Sequence, residues 1–247
     1  MMFNMEHMGL FIIVLTLISF LYASVGHGGA SGYLALMALF SFAPEMMRST
    51  ALLLNLFVSG IAFYHYYQAG HFNMKLFLYF ALSSIPLSFV GGLLETNPSF
   101  YKKTLGVILL FAIIKLLYDF GNKKIQIRQV RLWQGSIFGG LIGFFSGLIG
   151  IGGGIILTPI ILLFHWGDMK SAAAVSALFI FVNSASGLLG QVYLGAEINL
   201  ETFLLVGIAL IGGFVGSYLG SKRINNSVLR YILAFVLTLA SIKLFFV

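Results

Sequence analysis

Phe144-Phe145-Ser146-Gly147-Leu148-Ile149-Gly150-Ile151-Gly152-Gly153-Gly154-Ile155-Ile156-Leu157-Thr158-Pro159 is the stretch that decides how this chain folds. Apolar residues flank a knot of glycine. In a helix interior each Gly costs about 1 kcal/mol relative to Ala, so Gly150, Gly152, Gly153 and Gly154 mark a place where one helix stops and another starts. Inside a bilayer such a break survives only where the freed backbone groups line a cavity or are covered by protein. Broken helices of this kind hold substrates in membrane carriers. A looser copy, Gly26-His27-Gly28-Gly29-Ala30-Ser31-Gly32, lies early in the chain.

The surroundings of both knots are those of a membrane protein. Of 247 residues, 60% are hydrophobic and 9% charged, against the roughly 25% charge that covers a water-soluble domain. Successive apolar runs near 20 residues predict an all-α polytopic fold. With no cysteine, disulfides, thiolate metal sites and thiol nucleophiles are excluded. The net charge of +7 sits in short loops between spans. It follows from the positive-inside rule and is no sign of nucleic acid. Residues 1–8 lack a basic n-region, so no cleavable signal peptide is expected. Their four methionines and His7 read as chance and not as a Cu(I) site.

The expected order repeats. In the first half, arms at residues 9–24 and 31–42 flank a break at 26–30. A polar turn at Pro44-Glu45-Met46-Met47-Arg48 follows, then spans at 49–67, 77–94 and 105–118. Pro86 and Gly91-Gly92 are expected to kink the second span or let it pack closely. Residues 119–131 form a basic linker with Lys123, Lys124, Arg128 and Arg131. In the second half, short arms at 134–149 and 155–164 flank the main break. A turn at 165–170 and spans at 172–194, 203–219 and 229–247 complete it. Gly26, Gly28, Gly29 and Phe40 match Gly150, Gly152, Gly153 and Phe164. Asn73, Phe77, Leu78 and Leu93 match Asn199, Phe203, Leu204 and Leu219. Ile114-Lys115-Leu116 matches Ile242-Lys243-Leu244. The organisation is therefore a first repeat at 1–120, a linker at 121–131 and a second repeat at 132–247, together one transport domain.

Basic loops lie in the cytoplasm, which places the linker and residues 220–230 inside and the Glu197–Glu201 loop outside. Only Lys102 and Lys103 run against this. Each half is then a re-entrant-like hairpin plus three spans. Because three is odd, the halves are inverted, with both termini outside. The two breaks enter from opposite faces and meet near the midplane. The second arm of each hairpin starts there, with free N–H groups and a partial positive charge. Two such ends suit an anion, but the first arms end there too, with negative carbonyl ends that suit a sodium ion or proton donor beside it, so the dipoles alone leave the sign open. All seven carboxylates, Glu6, Glu45, Glu95, Asp119, Asp168, Glu197 and Glu201, fall in termini, loops or span ends. Cation carriers usually bury one, which favours an anion.

The candidate substrate contacts follow. Gly150, Gly152, Gly153 and Gly154 offer backbone N–H groups, and Gly26, Gly28 and Gly29 do so in the first copy. Close helix packing is the competing reading for all of them. His27 is the ionisable group within the breaks. It is read as a hydrogen-bond partner or proton carrier, or else as a neutral ring on a carbonyl. Ser31 and Thr158 sit just past the breaks, as caps or contacts. Asn55 and Asn183 lie well inside spans, for substrate contact or interhelical bonds. His65, among Tyr64, Tyr66 and Tyr67, reads as part of an interfacial aromatic belt. Arg48 and Lys170 flank the mouths. No catalytic residue, metal site or cofactor is implied.

Gly147-Leu148-Ile149-Gly150-Ile151-Gly152-Gly153-Gly154 with Pro159, and the looser first copy, resembles the TauE/SafE family of sulfite exporters and anion permeases. The resemblance spans the whole chain. It implies a multi-pass protein of the bacterial inner membrane that moves sulfite, organosulfonates or related sulfur-containing anions by alternating access. Its partners would be a small anion, the lipid bilayer and a coupling proton or sodium ion, with a homo-oligomer left open. In the first half His27 interrupts the glycines, Ala30 replaces the last of them, and no Pro matches Pro159. Other readings stay open: a carrier for a metal ion or amino acid, an intramembrane enzyme, or a structural subunit.

Overall fold

The computed structural model describes residues 5–42, 44–94, 127–196 and 198–246, and the regular structure there is helical throughout. The helices are α1 (Met5–Ser24), α2 (Ala30–Leu39), α3 (Pro44–Gln68), α4 (Met74–Gly92), α5 (Leu132–Ile149), α6 (Gly154–Leu163), α7 (Met169–Tyr193), α8 (Leu200–Lys222) and α9 (Asn226–Phe246). Among the described residues, five stretches are long and apolar enough to cross a bilayer: Met46–Gln68, Met74–Gly92, Leu132–Ile149, Met169–Tyr193 and Leu200–Lys222. Leu82, Ile137, Leu141, Leu204 and Ile211 are each more than half exposed, as lipid-facing side chains are. The span expected at 105–118, Lys102 and Lys103, and linker residues 119–126 lie outside the described residues.

Several boundaries differ from the sequence expectation. Residues 44–48 are not a turn: α3 starts at Pro44, where proline's fixed φ and missing N–H suit a first helical position. Asp168 caps α7 by accepting a hydrogen bond from the Ser171 N–H at 2.8 Å, so Met169 and Lys170 are helical and not part of the preceding turn. The first arms are not short. α1 has 20 residues and α5 has 18, whereas α2 and α6 have ten each. Each hairpin pairs a full-length helix, roughly 27–30 Å at 1.5 Å per residue, with a half-length one.

Glycine explains why the first arms run so long. Gly135, Gly139, Gly143 and Gly147 form a stripe along α5, laid on Tyr79, Phe80, Ser84 and Ser88 of α4. A methyl at Gly139, Gly143 or Gly147 would overlap a carbonyl oxygen of α4. From α4, Gly91 rests on the Phe144 carbonyl and Gly92 on Gly187 of α7. The other long arm is built the same way with the glycines on the opposite partner. Gly212, Gly216 and Gly220 of α8 rest on the Thr16, Phe20 and Ser24 carbonyls of α1. Small residues let membrane helices approach until backbones touch.

Each first arm thus packs on a long helix of the other half, α1 on α8 and α5 on α4. The remaining large contacts are α3 with α7 and α8, and α7 with α4. Exchanging the two halves leaves this set of pairs unchanged. α3 and α7 form the centre, and α7 is the most buried of the long helices.

Loop contacts define two ends. At one end Arg48 donates to the Gly91 and Leu94 carbonyls at 3.1 and 3.2 Å. There Phe11 of α1 packs on Phe40 and Phe42, with ring centroids 5.1 and 5.6 Å apart. At the other end Lys170 donates to the Ser221 carbonyl at 3.1 Å and His71 Nε2 lies 3.2 Å from it. There the Arg128 N–H donates to the His165 carbonyl at 2.7 Å, closing the mouth of the α5–α6 hairpin.

Candidate functional site

The two breaks share one backbone design. Tyr22 at the end of α1 accepts from the His27 N–H at 2.8 Å across Gly26, whose φ is +75°. Ser146 of α5 accepts from the Ile151 N–H at 3.3 Å across Gly150, whose φ is +81°. These are helix ends closed over a left-handed glycine. The second arms start from left-handed caps, Gly29 at φ +101° and Gly153 at φ +76°, neither with a side-chain cap on its own residue. Only glycine holds that conformation without steric cost. Ala30, which stands where the second knot has Gly154, is already helical. Its side chain therefore leaves the first break's geometry intact.

Both breaks meet Asn55, at the middle of α3 and 1% exposed. Its Oδ1 accepts from the Ala30 N–H at 2.9 Å and its Nδ2 donates to the Ile151 carbonyl at 3.0 Å. Those two partners fix the amide's orientation. A methyl at Gly28 or Gly152 would overlap the Asn55 carboxamide. Asn55 therefore joins the start of α2 to the loop of the other break. Ile180 holds the matching place on α7, packed against Gly152 and Gly154. The outer glycines keep the same relation, Gly26 resting on Ala173 of α7 and Gly150 on Arg48 of α3.

The electrostatic sign comes from which groups are used. Several carbonyls near the ends of the first arms are engaged, those of Tyr22, Ala23, Ser24, Ser146 and Gly147 among them. Gly147 O accepts from Arg48 Nη2 at 2.6 Å, and Ser24 O accepts from the Tyr66 hydroxyl at 2.6 Å. The donors that start α6 are open. The N–H groups of Gly152, Gly153, Gly154 and Ile155 make no hydrogen bond to another described residue. All four residues are buried. Buried side-chain atoms without a hydrogen-bond partner gather at the same place. Ser184 Oγ lies 3.0 Å from where a Gly152 methyl would stand, and Ser146 Cβ 3.4 Å from one at Gly153. His27 Cδ2 lies 3.7 Å from one at Gly154, next to the unpartnered Nε2. His27 Nδ1 is 3.0 Å from the Val25 carbonyl. That nitrogen carries the proton, which leaves Nε2 bare in the neutral ring. Buried polar groups cost free energy unless paired, so these N–H and hydroxyl donors, with the acceptor Nε2 of His27 beside them, are set for a guest.

The other sequence-selected residues sit elsewhere. Ser31 faces the Tyr22 hydroxyl at 2.7 Å, and Thr158 donates to Ser176 Oγ at 2.7 Å. Asn183 binds its own helix and α4: Nδ2 donates to the Phe179 carbonyl at 2.8 Å, and Ser84 and Ser88 donate to it. Arg48 and Lys170 cap helix ends with their charges, Arg48 on α4 and α5 and Lys170 on α8. His65 is not an interfacial belt residue. It is 3% exposed, with Nδ1 2.8 Å from Ser217 Oγ, and Tyr66 beside it is fully buried. Tyr64 and Tyr67 face outward. Ser184, Ser146 and Ile180 were not singled out from the sequence. Ile180 lies one turn before Asn183, and Ser184 four residues after Ile180, which puts the pair on one face of α7; Ser146 is marked in the sequence only by its place just before the main break.

A family model described as Sulfite exporter TauE/SafE matches residues 11–244. A probable membrane transporter protein of Sinorhizobium fredii, y4hK, is 35% identical over 237 residues, covering 94% of this chain and 96% of that protein. A probable membrane transporter protein of Methanocaldococcus jannaschii, MJ0441, is 28% identical over 193 residues, with 72% of this chain and 71% of its own length covered. YunE of Bacillus subtilis, named likewise, is 24% identical over 223 residues, covering 82% and 81%. No solved structure matches the chain.

Proposed function

This chain belongs to the sulfite exporter TauE/SafE family, and from that premise we propose that it carries a small anion, of the sulfite or organosulfonate kind, across the bacterial inner membrane. One observation carries the choice of an anion. Carbonyls near the ends of the first arms are already hydrogen-bonded, Ser24 and Gly147 to side-chain donors, while four buried N–H groups at the start of α6 make no hydrogen bond to another described residue. An uncapped helix start favours negative charge by its N–H groups and its dipole. Among the described side chains the carboxylates are Asp168, at a helix cap, and Glu201, in a first turn at a bundle end. Neither offers a ligand for a cation at the breaks.

Transport on this reading is alternating access between inverted halves. The exchangeable pairing of helices supports it, as do the two hairpins that close at different ends. Lys170, Lys222, Arg223 and Arg128 gather where the α5–α6 hairpin closes, which supports a cytoplasmic assignment for that end and an outside one for both termini. Residues 22–31 and 149–155 are buried, as expected of an occluded state. A coupled proton, on this proposal, would be carried by His27, whose ring stands against Gly154.

Counterflow in proteoliposomes tests the reading. Preloaded sulfite should drive uptake of labelled sulfite, with thiosulfate, sulfate and methanesulfonate ranked as competitors. Competition by cations alone would overturn the anion assignment.

A further inference from the structure

The two breaks are alike in backbone and unlike in what caps them. At the first break the Ala30 N–H is taken by Asn55 Oδ1 at 2.9 Å. At the second, the matching donor is Gly154 N–H, and the side chain in Asn55's place is Ile180, which has no acceptor. At that one donor the first half supplies an internal stand-in for a ligand oxygen and the second does not; the Gly28 and Gly29 N–H groups, like those of Gly152 and Gly153, make no hydrogen bond to another described residue, so the unpartnered Ser184, Ser146 and His27 side chains are what single out the second break. We propose that the anion binds at the second break alone, on the N–H groups that open α6, with Ser184 as a side-chain donor that nothing in the sequence had assigned. This rests on the anion-carrier reading and narrows it to one site with named contacts.

Ser184 is fully buried in the core of α7, and its hydroxyl has no partner. A serine in a helix usually bonds the carbonyl one turn back, as Thr16 and Thr238 do here. Ser184 does not, and it stands against Gly152. His27, 1% exposed, stands against Gly154 with Nε2 unpartnered. The two polar groups thus flank the cap at Gly153. A guest that meets Ser184 and the N–H groups needs several acceptor atoms set apart from one another, and where it also meets the bare Nε2 of neutral His27, itself an acceptor, it brings a proton to that contact. That describes an oxyanion and not a spherical halide. Ser146 lies beside Gly153 with its own hydroxyl unpartnered, which adds a donor on that flank.

The asymmetry yields a substitution with a definite sign. Ile180→Asn would give α6 the carboxamide cap that α2 already has, filling the site from within. Sulfite counterflow should then fall at least tenfold. Ser184→Ala should raise the KM for sulfite about tenfold with little change in maximal rate, and Ser184→Thr, which restores the hydroxyl, should recover most of it. Chloride should compete at least a hundredfold more weakly than sulfite. Flux is normalised to protein recovered by size-exclusion chromatography, so a misfolded variant is recognised as such and the Ser184 pair still decides. If the unsubstituted protein moves none of the four sulfur anions, the anion-carrier reading itself falls. If it moves sulfite while Ser184→Ala keeps the original KM, the site assignment alone is overturned. Equal competition by chloride would overturn the oxyanion selectivity.

Discussion

At Gly153 the decisive quantity is one methyl group. The residue sits at φ +76°, and an added Cβ would lie 2.7 Å from Ile142 Cγ2 and 3.0 Å from Phe179 Cε1. Left-handed backbone alone costs an L-residue about 1–2 kcal/mol, and the contacts add to it. Gly153→Ala should therefore cut anion flux at least tenfold at equal membrane insertion. Gly29, at φ +101°, would bring its methyl within 2.7 Å of Tyr33 Cζ. Its backbone is the same as that of Gly153, so Gly29→Ala should disturb the junction comparably, although no substrate is assigned there. Unchanged flux in Gly153→Ala would mean that the glycines serve packing and the site lies elsewhere. His27→Gln keeps a hydrogen-bonding group but removes the titratable nitrogen. Sulfite counterflow should partly survive, while uptake driven by a pH gradient should be lost. The glycine knots were legible because they defy helix propensity. Asn55's role was not, because its Ile151 bond spans 96 positions of sequence.

At the scale of helices, the long first arms stand or fall with their glycine seams. Gly143 rests on Ser84 so closely that a methyl would overlap the carbonyl. Overpacking a tight contact costs about 1–3 kcal/mol, so Gly143→Ala should lower the thermal unfolding midpoint in detergent. Gly207 on α8 has open space around it and makes the control: Gly207→Ala should be neutral or slightly stabilising, since Ala is the better helix former. A matching loss in both variants would show that the seam does not matter. The spacing Gly135, Gly139, Gly143, Gly147 was in plain view in the sequence. It announces a small-residue face, but nothing local says that α4, beyond the linker, is what covers it. The first arms begin earlier than the apolar pattern suggests, at Met5 and Leu132 where the pattern gives residues 9 and 134.

For the whole molecule, loop charge and repeat counting reach further than any single motif. Among the described residues, span order and hairpin positions come from composition and collinearity, which depend on the bilayer's dimensions and not on side-chain detail. What they miss is the exchange of arms between halves. That exchange has a mechanical meaning. With α1 on α8 and α5 on α4, each half-length arm belongs to one repeat while the long arm of its hairpin is bound to the other. Neither hairpin can tilt without carrying a helix of the opposite half, so the two breaks should move as one unit past Asn55. Orientation is the first thing to establish, and the chain's lack of cysteine makes single-cysteine labelling clean. Leu39→Cys, beside the mouth of the α1–α2 hairpin, and Glu201→Cys should react with an impermeant maleimide added to intact cells. Gln68→Cys, His165→Cys and Arg223→Cys should react only after permeabilisation. Leu39→Cys and His165→Cys reacting from the same side would mean that both hairpins enter from one face. The halves would then be parallel, and a shared junction reached from opposite sides of the membrane would be lost.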